Sequence, residues 1–108
     1  MGKQEMKYLL DSNILIYHLN GESIATNFIA ENIHQCAISQ ITFVEVLSFD
    51  YTDEELSQVK QFLSYFNVLD TNKSIAIQCL KNRKIKKIKI PDNFIAATPQ
   101  VYDLVLVT

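Results

Sequence analysis

The chain has 108 residues, of which 48% are hydrophobic and 20% charged, and its formal net charge is −2. That length supports one domain with its own core and is short for two. The charge balance excludes the strongly basic class of polyanion binder, so any polyanion has to be met by a local patch.

In chain order, "MGKQE", residues 1–5, reads as a disordered leader, and residues 6–108 as a single domain. Lys3 and Lys7 precede an apolar stretch, but Asp11 interrupts it before it reaches signal-peptide length. No window approaches the roughly 18 apolar residues that a membrane span needs. A cytoplasmic protein with no membrane partner is the expectation. Short apolar runs predict strands at residues 6–10, 36–39, 66–69 and 104–108. Between them, longer amphipathic runs predict helices at 13–19, 22–34, 41–49, 53–65, 73–87 and 92–102. Such alternation implies βαβ units and a parallel sheet, an α/β fold.

Several boundaries follow from local chemistry. Thr52-Asp53-Glu54-Glu55 has the spacing of a capping box, with acids suited to a helix start. Pro91 suits the first position of a helix that opens at Asp92, whereas Pro99 inside that helix predicts a bend or break. The closing run "LVLVT" is almost continuously apolar, as in a strand buried on both faces. Cys36 and Cys79 stand far apart without clustered histidines, so they read as small buried hydrophobes in a reducing compartment. His18 and His34 are isolated and read as surface or half-buried helix residues. Phe28, Phe62, Phe66 and Phe94 read as core anchors.

The first strand ends on a charge: "KYLLDSNILIYHLNG" runs apolar, meets Asp11, and turns apolar again. A carboxylate between two core segments is costly unless it reaches water, a partner or a metal. Parallel α/β sheets collect ligands beyond the carboxyl ends of their strands, and two further acids are expected on that rim. Glu45 lies about one turn into the helix after the second strand, and Asp92 opens the helix before the fourth. Each has a purely structural alternative. Asp11 could cap the following helix, Glu45 could close a capping box with Thr42 in "TFVE", and Asp92 could complement a helix dipole. Three carboxylates gathered in one place repel one another, and a divalent cation removes that difficulty. Hard oxygen ligands suit Mg²⁺ or Mn²⁺, which activate water against a phosphodiester. That is nuclease chemistry.

The blocks "YLLDSNILIYHL", "AISQITFVEVL" and "IKIPDNFIAATPQVYDLVLVT" resemble, in order and separation, the signature blocks of PIN domains, especially the VapC-type ribonuclease toxins of toxin–antitoxin pairs. The resemblance implies a three-layer α/β/α sandwich around a parallel sheet and metal-dependent endonucleolytic cleavage of RNA. Asp11, Glu45 and Asp92 then take the catalytic, metal-binding roles for Mg²⁺ or Mn²⁺, with Ser12 and Asn13 lining the site. Partners implied are an RNA substrate, a cognate antitoxin laid across the acidic groove, and a second copy docked through helices 22–34 and 53–65. Members of the family usually carry a fourth acidic or amide residue just past the last strand, where this chain ends at Thr108. The expectation is that the C-terminal part of the fold is missing. Asp103 is too far along its helix from Asp92 to replace that residue, about 15 Å at roughly 1.5 Å per residue.

The stretch "KNRKIKKIKI" holds six of the ten basic residues and leads directly into Asp92. Lys84, Lys86, Lys87 and Lys89 are therefore placed to guide a phosphate backbone, although cations also suit a helix C-terminus. The alternative function is a catalytically impaired PIN-like domain that binds proteins or dimerises. A haloacid-dehalogenase-type phosphatase would need a second Asp where Asn13 stands, and a receiver domain an acidic pair ahead of Asp11.

Overall fold

Each strand is only three or four residues long, and every one of them is paired within a single sheet. The computed structural model describes residues 5–108. The leader expected over residues 1–5 thus lies outside the described residues apart from Glu5, which is exposed. The elements are β1 (Tyr8–Leu10), α1 (Ser12–Leu19), α2 (Ser23–Asn32), a 3-10 turn (Ile33–Gln35), β2 (Cys36–Ser39), α3 (Gln40–Leu47), α4 (Asp53–Leu63), β3 (Asn67–Leu69), α5 (Lys73–Ile85), α6 (Ile90–Tyr102) and β4 (Val105–Val107).

The four strands form one sheet in the order β3-β2-β1-β4, and every pairing is parallel. Tyr8 pairs with both Cys36 and Val105, which sets β1 in the middle with its carboxyl end beside those of β2 and β4. Alternation along the strands separates two faces. Leu10, Cys36 and Ile38 join Ile14, Leu15, Ile29, Val46, Leu63 and Phe66 in the larger core cluster. Leu9 and Ala37, both 0% exposed, point the other way, so both faces of the central strands are buried. Helices α5 and α6 carry a second, smaller cluster of Ile75, Cys79 and Ala97, with Phe94 packed against it.

Side-chain caps account for the starts of α3, α4 and α5. The Thr52–Glu55 capping box forms reciprocally: Glu55 N–H donates to Thr52 Oγ1 at 3.1 Å and Thr52 N–H to Glu55 Oε1 at 2.9 Å. Those hydrogen bonds hold the Glu55 carboxyl below its ordinary value. The cap therefore supports the fold above the unfolded carboxylate range and fades as pH falls through the lowered value. Asn72 caps α5 by accepting from Ile75 N–H at 3.0 Å. The aromatic anchors pack as expected: Phe66 is 6% exposed, and Phe28 and Phe62 lie against the larger cluster.

Three expectations are corrected. The last helix opens at Ile90, so Pro91 stands inside its first turn and Asp92 is its third residue. Pro99 does not break α6, which runs on to Tyr102. The cost of its missing N–H is set against burial of the ring, and the helix closes just beyond in a Schellman motif: Asp103 adopts the left-handed conformation at φ 57°, and Leu104 N–H donates to the Pro99 carbonyl at 2.9 Å. The apolar run of β4 is not buried on both faces. Among the described residues β4 pairs only with β1, and Val105 is 55% exposed, because a strand at the sheet margin has a neighbour on one side alone.

Candidate active site

Asp11 terminates β1 and stands at the N-cap of α1. Its backbone does the structural work: Asp11 N–H donates to the Val107 carbonyl at 2.9 Å, tying the ends of β1 and β4, and its carbonyl accepts from Ile14 N–H at 3.1 Å to open the helix. Its half-buried side chain makes no capping hydrogen bond. The capping alternative is thus not realised, and the carboxylate at the sheet's carboxyl edge is left for other use.

Ser12, the first residue of α1, is 7% exposed. Its hydroxyl donates to Glu45 Oε1 at 2.5 Å and lies 3.4 Å from Thr42 Oγ1. This bond joins α1 to α3 beside Asp11. A short hydroxyl–carboxylate bond of this kind is the charge-assisted type, and it fixes one oxygen of a half-buried acid. Glu45 is not part of a capping box. Helix α3 is capped by Ser39, whose Oγ accepts from Ile41 N–H at 3.1 Å, and Thr42 is 0% exposed inside the helix. Of the apolar residues around Glu45, Val46 is buried and Leu47 half-buried, while Phe43 and Val44 face outward. Asn13 is exposed.

Asp92 stands on the first turn of α6. The C-terminal end of α6 leads within two residues into β4, so its N-terminus projects toward the carboxyl ends of the strands. The side chain is exposed on the first turn, where it also complements the helix dipole. Asp103 sits at the opposite end of α6, as its C-cap. Among the described residues, no three His, Cys, Asp or Glu side chains form a group placed to hold a metal ion. The structure brings Ser12 and Glu45 into contact next to Asp11, and leaves Asp92 as a separate exposed acid.

The basic residues frame the Asp92 side. Lys81, Arg83 and Lys84 occupy the end of α5, and Lys86, Lys87 and Lys89 the link to α6, all of them exposed. Arg83 Nη1 donates to the Ile88 carbonyl at 3.2 Å and pins the link. Sequence reasoning missed the amides beneath it. Asn93 is 2% exposed and Asn82 9% exposed. Asn82 Nδ2 donates to Asn93 Oδ1 at 3.0 Å, and Asn93 Nδ2 donates to the Cys79 carbonyl at 2.9 Å. The signal was present as periodicity: Ile75, Cys79 and Asn82 are spaced four and then three apart, so the Asn continues a buried stripe.

His18 lies elsewhere. Its ring stacks on Phe62 with centroids 4.5 Å apart, Nδ1 is 2.8 Å from Thr26 Oγ1, and burial pushes its pKa down. It is a half-buried packing residue, as expected.

The PIN domain family matches residues 8–108. No curated protein matches the chain. Among solved structures, a chain of a toxin–antitoxin complex from Klebsiella pneumoniae is 33% identical, with a TM-score of 0.85 over 94% of this chain and 85% of that one. A chain of DNA-bound VapBC from Salmonella typhimurium is 26% identical, with a TM-score of 0.82 over 95% and 86%. For VapBC2 from Rickettsia felis bound to a promoter fragment, at 24% identity and a TM-score of 0.79 over 95% and 87%, the likeness is one of fold alone. The expected loss of the C-terminal part of the fold is not shown by these matches. An α/β fold with an all-parallel sheet, a family match over residues 8–108 and a relative 33% identical over 94% of this chain together make this chain a member of the PIN domain family.

Proposed function

We propose that the chain is a VapC-type endoribonuclease, dependent on Mg²⁺ or Mn²⁺, that cleaves RNA phosphodiesters by metal-activated water. The observation that carries this reading is the Ser12–Glu45 hydrogen bond of 2.5 Å beside an Asp11 carboxylate that caps nothing, at the carboxyl edge of a parallel sheet. The donors fit the ion. Asp11 and Glu45 are hard oxygen ligands, and Mg²⁺ is commonly held by one or two carboxylates while keeping several waters. When bound, the ion supplies a water of lowered pKa and stabilises the leaving oxygen. Asp11 and Glu45 would hold it and Asp92 would join from α6, with the Ser12 hydroxyl orienting Glu45. Asn13 lines the approach.

In this reading Lys84, Lys86, Lys87 and Lys89 hold the RNA backbone. Replacing Lys86 and Lys87 together by Ala is expected to weaken RNA binding regardless of sequence. It should also flatten the dependence of log K on log salt by about 1.4, roughly 0.7 for each phosphate of a single strand that no longer meets a lysine. Titration by fluorescence anisotropy across a salt series measures both.

The toxin–antitoxin complexes among the relatives support a cognate antitoxin as partner and a cytoplasmic setting. Buried residues on both sheet faces support a three-layer α/β/α order. A homodimer through α2 and α4 is consistent with Ile24, 87% exposed on α2. The second reading, a protein-binding or dimerisation module without catalysis, is favoured by one observation: the exposed Asp92 does not form an acidic group with the other two. RNA cleavage that requires Mg²⁺ or Mn²⁺ and is stopped by EDTA decides for the nuclease. Its complete absence at millimolar metal decides for the module.

A further inference from the structure

We propose that Asn93 and Asn82 are positioning residues for Asp92, an amide lock that sets how the first turn of α6 faces Asp11 and Glu45; the inference rests on the nuclease reading above. Asp92 is exposed, so its placement follows the backbone of that turn. The next residue, Asn93, is almost wholly buried and spans to α5 twice: its Nδ2 donates to the Cys79 carbonyl at 2.9 Å, and its Oδ1 accepts from Asn82 Nδ2 at 3.0 Å. Asn82 Nδ2 also donates to Gln100 Oε1 at 2.9 Å, two turns further along α6, and its Oδ1 accepts from Gln78 Nε2 at 3.1 Å. The lock therefore grips α6 at residues 93 and 100 from a single point on α5.

Apolar side chains would fill the same space, as they do one turn away in the cluster of Ile75, Cys79, Ala97 and Phe94. Apolar contacts are non-directional, however, and tolerate rotation and sliding of one helix on another. A fully satisfied amide network does not: each bond weakens steeply with misalignment, and a buried amide left unpaired is costly. The network thus converts loose packing of the α5–α6 pair into one rotational setting. Asp92 and the basic link, itself pinned by Arg83 on the Ile88 carbonyl, inherit that setting.

The test is a Mn²⁺ titration of the intact chain, by calorimetry with the metal alone and by RNA cleavage. Asn93→Ala is expected to raise the Mn²⁺ concentration for half-maximal cleavage about tenfold, the scale at which residues orienting metal ligands act. Cleavage at saturating Mn²⁺ should stay within about twofold of wild type. Asn82→Ala should shift half-saturation in the same direction by less, and it serves if Asn93→Ala fails to fold. Ile75→Val loosens the same helix pair without touching an amide, and should lower Tm while leaving half-saturation unchanged. An unshifted half-saturation in both Asn variants of an active protein overturns the positioning role, as does an equal shift in Ile75→Val. Wild-type protein that neither binds Mn²⁺ nor cleaves RNA overturns the nuclease reading itself, and this inference with it.

Discussion

Asp11→Asn is expected to lower metal-dependent RNA cleavage by at least about 100-fold while leaving the fold as stable as before. The loss follows from removing one of two charged ligands from the best-formed part of the site. Loss of a single electrostatic stabiliser commonly costs about 10²–10³ in rate, and a group that merely orients a ligand already costs about 10–100-fold. Stability is spared because the structural duties of residue 11 belong to its backbone. Its N–H meets the Val107 carbonyl and its own carbonyl receives Ile14 N–H, both of which Asn retains. Asn is also as good an N-cap as Asp. Cleavage assays at saturating Mg²⁺ or Mn²⁺, run beside thermal melts, separate the two effects. Equal residual activity in wild type and variant would remove Asp11 from the chemistry.

The opposite signature is expected one turn away. Leu15 is 0% exposed and lies in the larger core cluster between α1 and the sheet. Leu15→Ala removes apolar packing and leaves a cavity that the neighbours only partly fill, a cost of about 2–5 kcal/mol. For a domain of this size each kcal/mol moves Tm by roughly 4–8 °C, so the melt should fall by roughly 8–40 °C. Urea unfolding at 25 °C provides the independent measure. A loss under about 1 kcal/mol would mean that the cluster does not pack as described. Taken with Asp11→Asn, the pair distinguishes a residue that acts from one that supports, although they are four positions apart on one segment.

Most of the fold is legible in the sequence because its signals are local. The alternation of short apolar runs with amphipathic ones locates the four strands and six helices to within about three residues, and Thr52 with Glu55 announces its cap outright. Where local rules fail, a tertiary effect prevails over them. Pro99 stands inside α6 with its ring buried, a tertiary gain that a local helix rule does not count. Thr42 has the spacing of a cap, but Ser39 starts α3 one turn earlier and Thr42 is buried within it. The site is legible in part. Asp11 and Glu45 each follow a strand, so chain order places them on one rim, and Ser12 stands beside Asp11 in the sequence although its bond to Glu45 does not show there. Asn82 and Asn93 escape notice, because an amide in a buried stripe becomes conspicuous only once its partner, 11 residues away, is seen across the helix pair.

The two cysteines lie in different cores, Cys36 in the larger cluster and Cys79 in the small one between α5 and α6. Burial pushes the Cys36 thiol up to about 11 and the Cys79 thiol in the same direction, so neither offers much thiolate to an alkylating reagent while it stays enclosed. Each sulfur is therefore an internal clock for the opening of its own compartment. If Cys79 is alkylated at neutral pH well before Cys36, the piece of chain that carries Asp92 breathes separately from the sheet; matched labelling rates would mean that the molecule opens only as a whole.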